Sequence, residues 1–143
     1  MSGNVPLASA EERTRRMHDC VARWPGMSDD SINRITARIR EFRDARDWKQ
    51  FHAPKELAVA IAAEAGELLQ HFVWQSPAQS EQRAVERKEE IASEIADVAI
   101  LLFELADNLG IALDQAMLAK IERNEERYPV AKAKGSNKKY NEL

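Results

Sequence analysis

Two stretches of this chain set a pair of acids three residues apart inside an apolar run, and no other feature restricts the possible folds so tightly. In the first, Glu64-Ala65-Gly66-Glu67 follows Ala58-Val59-Ala60-Ile61-Ala62-Ala63 and precedes Leu68-Leu69; in the second, Glu94-Ile95-Ala96-Asp97 runs into Val98-Ala99-Ile100-Leu101-Leu102-Phe103. On a helix, positions three apart project from the same side, one above the other, so each run carries two like charges side by side. Much of each helix has to be packed, yet burying an unpaired carboxylate costs on the order of several kcal/mol. No lysine or arginine lies between Lys55 and Arg83 to neutralise the first pair, and the basic neighbours nearest the second lie upstream at Arg87 and Lys88.

Packed antiparallel, two such helices bring four acids together in a bundle interior, an arrangement that is stable when cations occupy it. Oxygen donors select a hard ion, so Mg²⁺, with Mn²⁺ as a substitute, is expected rather than Zn²⁺. Either pair alone reads more readily as a solvated helix face; the two together, each in an apolar setting, do not. A ferritin-like di-iron site would call for Glu-x-x-His pairs. The histidine at hand, His71, stands four residues after Glu67 and reads as a residue behind the site or on the surface.

The rest of the sequence is helical in pattern. Glycine and proline number five each, and no alternating Val/Ile/Thr-rich run argues for a strand. Ile32, Ile35, Ile39 and Phe42 recur at helical spacing and predict a first helix over residues 31–46. A loop, Asp47-Trp48-Lys49-Gln50-Phe51-His52-Ala53, leads to Pro54, which suits the first turn of a second helix over 54–74 with Leu57, Ile61, Ala65, Leu68 and Phe72 on one face. Ser76-Pro77 ends it, and a polar connector precedes a third helix over 80–108, striped by Ile91, Ile95, Val98, Leu102 and Leu105 and stopped at Asn108-Leu109-Gly110. A fourth helix covers 113–128 and halts at Pro129. The expectation is an all-α domain, a four-helix bundle over residues 28–130. A polar N-terminal tail over 1–27 precedes it, ending at Trp24-Pro25-Gly26 with Met27 as a candidate native start, and a lysine-rich tail over 131–143 follows.

Charge and composition exclude some classes of function. Twenty-one basic against 24 acidic residues give a net charge of −3, without the basic footprint of a protein that binds nucleic-acid polymers. No apolar run reaches the roughly 20 residues that span a bilayer, and no secretory leader pattern opens the chain. The lone cysteine, Cys20, allows no intrachain disulfide, consistent with a reducing compartment. The expected location is cytoplasmic, with no membrane partner.

At Glu64, Glu67, Glu94 and Asp97 the sequence resembles the MazG-like all-α nucleoside triphosphate pyrophosphohydrolases, whose signature is E-x-x-E on one helix and E-x-x-D on the next. Within that superfamily it is most similar to the dCTP pyrophosphatase branch. The resemblance runs through Arg46-Asp47-Trp48, Gln50-Phe51-His52, Gly66-Glu67-Leu68 and Phe72-Val73-Trp74. It continues through Lys120, Asn124, Arg127-Tyr128-Pro129-Val130, Lys134-Gly135-Ser136 and Lys139-Tyr140, from about residue 32 to the end of the chain.

The resemblance implies a tight homotetramer whose sites are completed by neighbouring subunits, and hydrolysis of a nucleoside triphosphate between the α- and β-phosphates. It also implies Mg²⁺ on Glu64, Glu67, Glu94 and Asp97, with Glu64 either orienting and deprotonating the water or sharing in the ligand set. Lys120, Asn124, Arg127 and Tyr128 fall along one side of the last helix, where they can meet the β- and γ-phosphates; a solvated basic stripe is the alternative. Trp48 and Trp74 are the candidate walls of a base pocket that His52 helps to line; taken alone, each tryptophan reads more readily as a core or interface residue. The lysine-rich tail either folds over the phosphates or serves as an unstructured solubilising tail. Vertebrate-type members carry a histidine and a tyrosine where this chain has Ile39 and Leu101, so strict cytosine selectivity is not implied. Phosphoribosyl-ATP pyrophosphatase, of the same superfamily, would explain the acids but not the tryptophan segments. A non-catalytic nucleotide-sensing or oligomerisation module, with the acids on a structural ion, is the alternative outside enzymology.

Overall fold

The computed structural model describes residues 31–142; the N-terminal tail expected over residues 1–27, its possible start at Met27 and Cys20 lie outside them. Six helices and no strand are found among the described residues: α1 (Ser31–Asp44), α2 (Pro54–Gln70), α3 (Pro77–Glu86), α4 (Lys88–Asn108), α5 (Leu113–Arg127) and the four-residue α6 (Val130–Ala133). Short 3₁₀ turns sit at Trp48–Phe51 and Tyr140–Glu142. Of the described residues, 36–142 group as one compact unit, which takes in α1 from Thr36 onward.

The all-α expectation holds, but four helices become six, and local chemistry explains each difference. Ser76-Pro77, expected as a stop, is a start: the Ser76 hydroxyl accepts from the Gln79 amide, the Gln79 side chain accepts from the Ser76 amide, and Pro77 occupies the first turn of α3. The long helix expected over 80–108 breaks at Arg87, whose φ of −113° and ψ of 27° leave the helical region. The second helix ends at Gln70 rather than Trp74, because residues 71–74 form a turn that leaves Trp74 at a φ of 60°. The C-terminal segment carries α6 and a 3₁₀ turn, and Tyr140 packs edge-on against Tyr128 with ring centroids 6.2 Å apart.

The expected stop of α4 is as the sequence indicates. Gly110 takes a φ of +66°, its amide donates to the Asp107 carbonyl at 3.1 Å and the Ile111 amide donates to the Ala106 carbonyl at 2.9 Å. This is the left-handed cap that satisfies the last carbonyls of a helix. Pro54 opens α2, as its fixed φ allows.

α2 and α4 form the main packed pair, with α3 making a smaller contact on α4. They run antiparallel, since Asn108 at the end of α4 meets His52 just before α2, whereas Gln70 and His71 line a cavity with Arg87 and Glu90 at the start of α4. Apolar burial is sparse: among the described residues the buried hydrophobic side chains are Ile39, Leu57, Ile91 and Ala106. Two members of the expected α4 stripe, Ile95 and Leu102, are 53 % and 45 % exposed, so that stripe does not all face the core of one protomer. No helix among the described residues is long and apolar enough to cross a membrane.

Candidate active site

Three of the four predicted acids meet. Glu64 of α2 and Glu94 and Asp97 of α4 each offer a carboxylate oxygen within 4.8 Å of the other two. The helical spacing places Glu94 and Asp97 on one side of α4, and the antiparallel packing sets that side against Glu64. Glu64 and Glu94 are half-buried and Asp97 is exposed. Glu67 falls outside this trio, yet its charge is felt. Burial first, then the charges of Glu67, Asp97 and Glu94, hold the Glu64 carboxyl above the ordinary glutamate range.

The ion pairs among the described residues are made by other acids: Glu41, Asp44, Glu56, Glu90, Glu104 and Asp107. Glu64, Glu94 and Asp97 therefore converge with no cationic side chain of the described residues in salt-bridge range. A hard divalent cation fits that donor set, being bound by carboxylate oxygens and needing no further protein partner.

Beside the trio, Glu67 and Glu94 open into a polar cavity of about 260 Å³, completed by Gln70, His71, Arg83, Arg87 and Glu90. Arg83 and Arg87 were not singled out from the sequence, and His71 lines this cavity rather than the carboxylate trio. The break at Arg87 brings the two arginines to the mouth of the acid site, a relation that a continuous third helix conceals. Arg87 is already paired with Glu90 at 2.8 Å; Arg83 is half-buried. Two guanidinium groups next to a cation site suit an oxyanion such as phosphate.

At the other end of the α2–α4 pair lies the aromatic turn. Asp47 enters it at a φ of 54°, a left-handed conformation that Asp tolerates better than most residues. The Gln50 amide donates to the Asp47 carbonyl at 3.0 Å and to its carboxylate at 2.9 Å. The turn brings Trp48 and His52 together, with ring centroids 6.2 Å apart, and Phe42 meets Trp48 edge-on at 5.8 Å. Arg46 lies 3.6 Å from the centroid of the Phe42 ring, a cation–π arrangement.

The remaining predicted residues do not join the acids within one protomer. Trp74 is 96 % exposed, and so walls no pocket by itself. Lys120, Asn124 and Arg127 are exposed on α5, and neither they nor Tyr128 line either of the two cavities described. Arg127 and Tyr128 gather with Tyr140, the guanidinium carbon lying 5.1 Å from the Tyr140 ring centroid.

The sequence profile of the MazG-like family matches residues 59–143. A protein named dCTP pyrophosphatase 1 from Rattus norvegicus is 40 % identical over 116 residues, covering 80 % of this chain and 66 % of its own length. The protein of that name from Homo sapiens is 37 % identical, with the same shares covered. The chain thus spans just under two thirds of these relatives. The crystal structure of a pyrophosphatase from Archaeoglobus fulgidus superposes with a TM-score of 0.68 at 38 % identity, over 74 % of this chain and 99 % of that one.

Proposed function

Because the chain belongs to the MazG-like family, we propose that it is a Mg²⁺-dependent nucleoside triphosphate pyrophosphohydrolase, acting on dCTP or a related or base-modified pyrimidine deoxynucleotide and serving nucleotide-pool sanitation. The observation that carries this reading is the convergence of Glu64, Glu94 and Asp97 within 4.8 Å. Likeness to proteins named dCTP pyrophosphatase supports the substrate class.

In this reading Glu64, Glu94, Asp97 and Glu67 would hold the cation, which when bound would supply positive charge to offset that of the triphosphate. The water oxygen bonds to the α-phosphorus, the bond from that phosphorus to the α–β bridging oxygen breaks, and the products are a nucleoside monophosphate and pyrophosphate. Glu64 orients the water or takes its proton, or shares in the ligand set; it is the acid that α2 contributes to the convergent trio. The base stacks at Trp48 and His52. Trp74, Lys120, Asn124, Arg127 and Tyr128 serve a neighbouring subunit's site, consistent with their exposure in a single protomer. The homotetramer this calls for is in keeping with the exposed Ile95, Ile100 and Leu102 on α4 and Met117 and Ile121 on α5.

The test is pyrophosphate release with Mg²⁺ across dCTP, dUTP, dTTP, 5-methyl-dCTP and CTP, repeated with Glu64→Ala and Asp97→Ala. Turnover of pyrimidine deoxynucleotides that both variants abolish is the expected result. No turnover of any nucleotide by the unaltered protein would overturn the enzymatic reading, and full activity in both variants would overturn the site.

A further inference from the structure

The most deeply buried polar side chains among the described residues are not the clustered acids but Arg43, 2 % exposed, and Glu104, 4 % exposed. They belong to a closed ring of contacts. Glu104 Oε1 lies 2.6 Å from His52 Nδ1 and 3.7 Å from Arg43 Nη1. Arg43 Nη1 donates to Asn108 Oδ1 at 2.9 Å, and Asn108 Nδ2 donates to the His52 carbonyl at 3.1 Å. A buried ion pair contributes little net stability over an apolar pair of similar size. What this one does contribute is direction, since two side chains of α4 grip both the ring and the backbone of His52, the last residue of the aromatic turn.

The Glu104 carboxylate accepts, so the proton it faces stands on His52 Nδ1. In the neutral ring Nε2 is then the acceptor left for a ligand. His52 also lines an open cavity of about 350 Å³ with Arg40, Arg43, Asp44, Lys49 and Asn108 among its walls. On α4, Glu104 follows Asp97 by seven residues, two turns or about 10.5 Å along the axis on the same side of the helix. That span is comparable with the reach of a nucleoside from its 5′-phosphate to the far edge of its base.

We infer that Glu104 is a positioning residue for base recognition, which with Asn108 fixes the tautomer of His52 and the placement of the Trp48–His52 turn. The inference rests on the proposed reading, in which that turn walls the base site. An acceptor at Nε2 pairs with an exocyclic amino group, as on cytosine, and not with the carbonyl that uracil has in its place.

Three readouts test this on the full chain. Imidazole ¹⁵N shifts of the free protein should show His52 protonated at Nδ1 and lose that signature in Glu104→Ala. Titration with dCMP and dUMP, followed by tryptophan fluorescence, should show dCMP binding weakened about tenfold in Glu104→Ala, with the preference over dUMP largely gone and kcat for dCTP within about twofold. Glu104→Gln, whose amide oxygen still accepts from Nδ1, should restore most of both. Since Glu104→Ala leaves the buried Arg43 with the exposed Asp44 as its ionic partner and can fail to fold, the double variant Arg43→Leu/Glu104→Leu gives the same test with neither buried charge present. A His52 proton on Nε2 in the unaltered protein, or unchanged dCMP affinity and preference in the folded variants, would overturn the inference. Neither the shifts nor the titrations need turnover, so a protein that binds dCMP through this network but releases no pyrophosphate leaves the inference standing and removes the catalytic reading.

Discussion

Glu64 sits where two opposing demands meet, since packing against α4 disfavours its charge and a bound cation requires it. Its raised proton affinity has a definite consequence for pH. In the metal-free protein, a carboxyl held above its ordinary value opposes folding at neutral pH. That opposition fades as the pH falls from the raised value to the ordinary glutamate range, so metal-free thermal stability should rise across that window. Mg²⁺ needs the ionised form, so the stabilisation it gives should shrink over the same window, and its binding within that window should release protons. Calorimetric titration in buffers of different ionisation enthalpy measures the release, and proton uptake would contradict the assignment. Asp107 and Asp44 behave oppositely. The Arg40 guanidinium, hydrogen-bonded at 2.6 Å, holds Asp107 below the usual carboxylate range, and Arg43 does the same for Asp44. Their stabilisation is present above the ordinary value and is lost only as pH falls through the depressed one, at lower pH than the Glu64 window. For the buried pair a different outcome is expected: Arg43→Ala leaves the buried Glu104 with His52 as its one remaining partner and should cost up to about 3–5 kcal/mol in denaturant unfolding, whereas replacing both by leucine should cost far less.

At the level of the helices, what could be read from the sequence depended on whether a signal was local. The two acid pairs stood out because helical spacing and apolar flanks act within a few residues, and three of the four, Glu64, Glu94 and Asp97, converge; Gly110 and Pro54 marked the end of α4 and the start of α2 for the same reason. Ser76-Pro77 misled because a proline that ends one helix is also a good first residue for the next; Gln79, three residues after Ser76, was the signal that separates the two cases. Ser76→Ala should therefore lower stability by about 1 kcal/mol, measured by denaturant unfolding, and no change would mean that α3 is held by packing alone. The Arg83–Arg87 cavity and the Arg43–Glu104–His52 ring joined residues from different elements, which no helical period reveals. If that cavity receives the leaving phosphates, Arg83→Ala should weaken inhibition by pyrophosphate about tenfold and leave inhibition by dCMP unchanged. Equal loss against both inhibitors would place Arg83 in the fold rather than at the phosphates.

At the scale of the whole molecule, the described residues of one protomer bury too little apolar surface to account for their helical stripes. Ile95 and Leu102, chosen by period as core, face outward, as do Met117 and Ile121 on α5. Exposed apolar side chains on this scale mark an interaction surface more readily than a free one, and the proposed assembly would account for both the unburied stripe and the separation of the α5 cations from the acids. This makes a prediction that separates a shared site from a self-contained one. Glu64→Ala lacks part of the carboxylate set but retains Lys120 and Arg127; Lys120→Ala/Arg127→Ala lacks the cations but retains the acids. If α5 of one subunit serves the acids of another, unfolding and refolding the two inactive proteins together must create some sites with both parts intact. Pyrophosphate release should then appear in the mixture and in neither parent. If each protomer uses its own α5, every site in the mixture keeps one defect and no activity returns. Leu102→Glu supplies the control: charge placed on the outward stripe should break the assembly into smaller species by sedimentation and abolish the recovery together with it.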